Sequence, residues 1–272
     1  MRRSFVLLAV VLAFIGVPSA GAITGNSEQD FVHPYVGLVA FYDAAGNRLF
    51  RCSGSMISPS ALLTAGHCAD PSSGAVSAKV WLDQAASGYP SSGGLSAHGI
   101  ANFGFAGFTG DAETHDIGIV ILDQPVSLPT FGALASTGSL DGLATRRGKQ
   151  VITFTASGYG LSYRNPVKLV DPLERLMATE QMINLTSRLT DGYNIETTAS
   201  PGDDRGGTCS GDSGGPLLYD TTDIIVAVDS FGKNANCRGT DFMYRVDRGP
   251  VLDWILAHVP ASERSLVRIV GL

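Results

Sequence analysis

Apolar and polar positions alternate over short stretches of this chain, and glycine-rich turns break the pattern repeatedly. Tyr35–Tyr42 reads as an apolar strand, Asp43-Ala-Ala-Gly-Asn47 turns it, and Arg48–Ile57 returns alongside. Further strands are predicted over Ile117–Leu122, Gln150–Ala156, Arg175–Met182 and Ile224–Val228. A helical period emerges only near the end, where Val251, Trp254, Ile255 and Val259 fall on one face of a predicted helix. Many short strands and one late helix predict two small barrels or a sandwich; periodicity alone does not choose between them. No internal repeat interrupts this plan, and the Gly/Ser-rich stretch Ser87–Gly94 reads as a loop.

The start of the chain follows a different pattern. Met-Arg-Arg precedes the apolar run Phe5–Val17, and small residues continue to Ala22. That order predicts a secretory signal over 1–22, because spanning a membrane takes about 20 apolar residues. Ala20 and Ala22 satisfy the small-x-small rule for cleavage after Ala22, whereas cleavage after Ala20 would put Pro18 at the other small position. Arg2-Arg3 leaves twin-arginine export open as the route. The expected product is extracellular, with about 250 residues, a normal size for a single all-β unit.

Composition narrows the partners. A formal charge of −6 with scattered basic residues argues against nucleic acid or an anionic membrane surface. The four cysteines, Cys52, Cys68, Cys209 and Cys237, predict two disulfides in an exported chain. Their number permits three connectivities. A zinc site is the rival, but no closely spaced cysteine pair supports it.

The strongest chemical signal is Thr208-Cys-Ser-Gly-Asp-Ser-Gly-Gly-Pro216. Glycines let a backbone turn tightly and let a ligand approach the main chain, so Ser213 is presented as a nucleophile would be. A serine needs a base, and the base needs an orienting group. Thr64-Ala-Gly-His-Cys68 supplies His67 at the end of an apolar strand, and Asp116 opens the strand Asp116-Ile-Gly-Ile-Val-Ile-Leu122. A carboxylate can hold the imidazole tautomer while the imidazole takes the serine proton. The other histidines, His33, His98, His115 and His258, read as structural or solvated.

Together with Ser157-Gly-Tyr-Gly160 and Ser230-Phe-Gly232, these segments resemble the trypsin-like (chymotrypsin-fold) serine proteases. The order histidine, aspartate, serine is also theirs, and differs from that of subtilisins and α/β-hydrolases. The resemblance runs from about Ile23 to Val259. It implies an all-β fold of two six-stranded antiparallel β-barrels with a C-terminal helix. The peptidase domain would cover 23–260: barrel one about 23–130, barrel two about 131–248, the helix about 249–259, with 261–272 as a tail. It implies Ser213 as nucleophile, His67 as general base and acid, Asp116 as orienting carboxylate, and the N–H groups of Gly211 and Ser213 as the oxyanion hole. Ser230 would support Asp116, and the backbone of Ser230, Phe231 and Gly232 would pair with an extended substrate. The family pattern also implies the bridges Cys52–Cys68 and Cys209–Cys237.

The same resemblance bears on activation and specificity. Family members begin with an apolar residue whose amine turns inward to the aspartate before the nucleophile. Here these are Ile23 and Asp212, so signal cleavage after Ala22 is expected to complete the enzyme directly. Six residues before the nucleophile, at the expected base of the primary pocket, stands Gly207, where trypsins carry an aspartate. Asp229 and Asp241 are the acids that could replace it and favour a basic side chain, since an unpartnered buried carboxylate is costly. A one-residue change in alignment would instead put Phe242 across the pocket. Thr208 suits an acidic side chain, which Asp229 would repel. A polypeptide substrate and a protein inhibitor are the expected partners of a monomer, with no cofactor and no metal. Asp203-Asp204 reads as a solvated turn, and Asn184-Leu-Thr186 matches a glycosylation sequon. The competing functions are a non-proteolytic esterase and a binding protein on the same fold.

Overall fold

The computed structural model describes residues 23–143 and 151–272. The signal reading over 1–22 and the predicted strand start at Gln150 lie outside them. Six strands close the first barrel: β1 Val36–Tyr42, β2 Arg48–Met56, β3 Ala61–Thr64, β4 Ser77–Trp81, β5 Leu95–Asn102 and β6 Gly118–Leu122. Their order around the barrel is β1-β2-β3-β6-β5-β4. β1 is buried along its whole length, which is why it reads as a continuous apolar run rather than an alternating one.

The second barrel contains β7 Thr153–Gly158, β8 Leu176–Asn184, β9 Asn194–Ala199, β10 Pro216–Tyr219, β11 Ile224–Gly232 and β12 Gly239–Arg245. The path β10-β7-β8-β9-β12-β11 closes because β11 also pairs with β10. Barrels rather than a sandwich therefore resolve the alternative, since closure removes the exposed strand edges. Along β8 the inward positions are Leu176, Ala178, Glu180 and Met182, so the period of two carries a carboxyl group into the core.

Helix α1 spans Gly249–His258, with Pro250 in its first turn and Pro260 just beyond its end. Val251, Leu252 and Ile255 are its buried residues; Trp254, expected on that face, is only partly covered and lies against the His258 ring, tilted, with centroids 4.1 Å apart. The last residues do more than trail. Ile269–Val270 add a parallel strand to Leu134–Ala135, and Glu263 accepts hydrogen bonds from Ser58 Oγ at 2.6 Å and from the N–H and hydroxyl of Ser60. The C-terminal segment thus belongs to the sheet of barrel two and grips a turn of barrel one.

Barrel two also encloses an ion pair. Arg245 donates to both oxygens of Asp247 at 2.8 Å each and to Asp141 at 2.7 Å. Asp247→Ala removes the buried partner and leaves the guanidinium poorly compensated. Urea unfolding is expected to show a loss on the order of 3 kcal/mol.

Candidate active site

The carboxylate of Asp116, two residues before β6, is fully buried. It accepts the backbone N–H of His67 at 2.7 Å, His67 Nδ1 at 2.9 Å through Oδ2, and the hydroxyl of Ser230 at 2.5 Å. With Nδ1–H committed to Asp116, Nε2 is left with its lone pair available as a base. The His67 side chain is 22% exposed, so the ring is held from within and open on one side.

Ser213 sits on a turn wedged between the barrels. Its carbonyl accepts the N–H of Ser53 at 2.8 Å, and the next N–H, from Gly214, is donated to Asp229 O at 2.8 Å. Gly214 has φ +80°, and a Cβ there would lie 2.1 Å from Thr64 Oγ1 and 2.5 Å from Ala65 N. Only glycine lets the serine turn press against the strand leading into His67. The Cys52–Cys68 disulfide ties that strand to β2, and Cys209–Cys237 fastens the chain before the serine to the end of β11's loop. Both are the pairings that the family pattern implied.

Gly211 adopts φ +102°, and a Cβ there would come within 3.0 Å of Gly160 Cα and 3.3 Å of Arg51 Nε. Its carbonyl accepts Ser53 Oγ at 2.9 Å, and the same Oγ accepts Tyr159 N–H at 2.9 Å. Ser53 therefore fixes the serine turn from barrel one, a role that no sequence motif announced. Asp212 is buried and accepts N–H groups from Gly160 at 2.7 Å and Cys209 at 3.0 Å. Burial pushes its carboxyl up to about 7. Ile23 is buried as well, and Thr24–Gly25 pair with Gly206–Gly207.

A cavity of about 180 Å³ opens beside Ser213, lined among others by Thr208, Asp229, Ser230, Phe231 and Asp241. Gly232 also lines it, whereas Gly207 does not. A Cβ at Gly207 would meet Ala199 Cα at 2.5 Å and Asp241 Oδ2 at 3.0 Å, so the glycine packs beneath the cavity. Phe242 does not cross the pocket either: it is buried, stacked on Phe231 with centroids 4.7 Å apart. Alternation along β12 turns Asp241 towards the cavity instead. A register irregularity in β11 between Asp229 and Phe231 lets both Asp229 and Ser230 face the site.

Two further features escaped the motifs. Phe105 and Phe108 approach the His67 ring at 6.0 and 5.5 Å, and Phe108, half exposed, also meets Phe231 at 5.3 Å. The repeat Phe103-Gly-Phe-Ala-Gly-Phe108 was their only trace in the sequence. Glu180 is fully buried, its Oε2 accepting Thr197 Oγ1 at 2.5 Å. The remaining histidines are occupied elsewhere: His33 with buried Asp30, His98 with Asp123, His115 beside Glu113, and His258 with the Trp254 carbonyl.

Residues 22–255 match the sequence model of the trypsin family. Brachyurin of Leptuca pugilator is 30% identical over 221 residues, covering 76% of this chain and 87% of its own. Human chymotrypsin-like elastase family member 3B is 28% identical over 256 residues, 88% of each chain. Among solved structures, HL collagenase superposes with a TM-score of 0.65 at 23% identity, over 86% of this chain and 97% of its own. Human heparin binding protein does so with 0.62 at 19%, over 87% and 98%, a likeness of fold.

Ser53→Ala would strand the Gly211 carbonyl and the Tyr159 N–H at once. A stability loss of about 2 kcal/mol is expected, read from the shift in the urea midpoint.

Proposed function

We propose that this chain, which belongs to the trypsin family of serine endopeptidases, cleaves polypeptides outside the cell through Ser213, His67 and Asp116. One observation carries the reading: Asp116 grips His67 from beneath while the Ser213 turn packs against the strand that leads into that histidine. Ser213 Oγ attacks the scissile carbonyl and gives its proton to His67 Nε2. The imidazolium then protonates the leaving amine, and an acyl-enzyme remains. Water, deprotonated by the same imidazole, releases the acid and restores Ser213. The N–H groups of Gly211 and Ser213 serve the developing oxyanion. Ser230, Phe231 and Gly232 border the cavity and offer backbone to an extended substrate.

In that cavity Asp229 and Asp241 supply the negative charge that trypsins place at the Gly207 position, which favours a basic substrate side chain. The likeness to heparin binding protein is one of fold and does not carry a binding role here. A serine-directed phosphonate is expected to label the protein, with both labelling and peptide cleavage lost in Ser213→Ala. Labelling without cleavage of any peptide would favour an esterase, and no labelling a binding protein.

Activation follows from the same site. Ile23 is a β-branched residue held at φ +57°, a conformation such residues avoid while a peptide bond precedes them. Removal of the signal frees it from that restraint and leaves an amine for Asp212. The free amine titrates near ~7.7–8.0; pairing raises that value. The stabilisation is therefore complete below the free value and disappears as pH climbs through the raised one, so activity falls at alkaline pH. One extra residue before Ile23 is expected to lower kcat/KM by about a hundredfold, the loss of a buried pair of about 3 kcal/mol. Full activity in the extended form would refute this step.

A further inference from the structure

Three carboxyl groups meet at the primary pocket: Asp229 of β11 and Asp241 of β12 line it, and Glu180 of β8 lies buried behind. Thr208 stands between the first two. Its hydroxyl oxygen is 2.9 Å from Asp229 Oδ1 and 2.9 Å from Asp241 Oδ2, and its N–H is 2.6 Å from that same Asp241 oxygen. A hydroxyl has a single proton to donate. At 2.9 Å each, both contacts are full two-centre hydrogen bonds only if one carboxyl is itself a donor. Asp241 already accepts the Thr208 N–H, so the acid is Asp229: its O–H donates to Thr208 Oγ1, whose own proton goes to Asp241.

The surroundings favour keeping that proton. Burial first, and then the negative charges of Asp241, Asp212 and Asp116, push the Asp229 carboxyl well above the ordinary range. Glu180 feels Asp241, Asp229 and Asp212 in turn, and burial with those neighbours holds its carboxyl well above the ordinary range. Its Oε1 is buried with no hydrogen-bond partner, a poor place for a charge. Burial lifts Asp241 to about 6 against the two Thr208 bonds that favour its ionised form. Thr197, opposite Asp241 on β9, donates to Glu180. Lys233, half exposed at the end of β11, reaches over the Phe242 ring at 4.8 Å and towards Glu196 at 3.9 Å.

Resting on the endopeptidase reading, we infer that the empty primary pocket stores a proton on Asp229, which a cationic substrate side chain displaces as it binds. No covalent bond changes other than that O–H. The proton leaves to solvent, the side chain's N–H groups take its place against Asp229, and Thr208 continues to donate to Asp241. A neutral side chain requires no such exchange. Preference for a cation over a neutral residue therefore grows with pH.

The test compares two peptides that differ only by Arg or Gln before the scissile bond, with kcat/KM measured from about pH 5 to about pH 9. Arginine stays charged throughout this range, and the catalytic groups serve both peptides alike, so the ratio isolates the pocket. The Arg/Gln ratio is expected to climb by up to about tenfold per pH unit and then level off. In Asp229→Asn the amide donates to Thr208 as the acid did, and the climb should shrink to the shallower one that Asp241 alone supplies. In Glu180→Gln the climb should persist. A flat ratio in the native enzyme, or an undiminished climb in Asp229→Asn, overturns the inference. A climb abolished by Glu180→Gln overturns the placement of the proton on Asp229. Cleavage of neither peptide, with no phosphonate labelling of Ser213, would instead refute the endopeptidase reading on which all of this stands.

Discussion

The carboxylate of Asp116 is shut off from water, so its charge is tolerable only where donors surround it. Those donors come from opposite halves of the molecule. His67 follows β3 in the first barrel and Ser230 belongs to β11 in the second, and both reach the same carboxylate. Satisfying that one group therefore requires the barrels to dock in a single relative position. Ser53 adds to the constraint by bonding across the junction to Gly211, Ser213 and Tyr159. Gly214, where a side chain would strike Thr64, makes the approach close enough. A site assembled in this way is only as precise as the packing between two closed sheets, which is rigid because neither barrel has a free edge to slide along.

The elements that sequence pattern placed well are those whose burial is simple. β1 is apolar throughout and β11 begins as Ile-Ile-Val-Ala-Val, and both were legible within a few residues. Short strands such as β4 and β9 were not, because a few half-buried residues leave too little periodic trace to separate a strand from a loop. Choosing barrels over a sandwich required the family resemblance. Leu252 replaced Trp254 on the buried side of α1 since a helix lying on a curved sheet covers its neighbours unevenly, and an indole can remain half out against His258.

The site divides along a similar line. Glycine-bracketed motifs marked His67, Asp116, Ser213 and Ser230, because the close approaches they make exclude side chains. Ser53 and Glu180 left almost no mark. A serine after a cysteine is commonplace, and only its position between two backbone groups gives it work. Glu180 had one available clue, a carboxylate at an inward position of an otherwise apolar alternation, which becomes meaningful once the strand's facing is known. Phe242 and Asp241 show the limit from the other side: adjacent residues in a strand face opposite ways, so a one-residue change of alignment decides whether the pocket holds a ring or an acid.

Net charge takes on a different meaning in this light. The formal −6 was read as a property of the surface, setting which partners the molecule would avoid. Yet Asp30, Asp116, Glu180, Asp212, Asp229, Asp241 and Asp247 are all buried. Asp30, Asp116 and Asp247 have histidine or arginine partners, whereas Asp212, Asp229, Asp241 and Glu180 gather around the serine turn and the pocket behind it. Acids crowded into one low-dielectric region resist ionising together. Part of the formal charge is thus exchangeable rather than fixed, and it is concentrated at the serine turn and the pocket behind it.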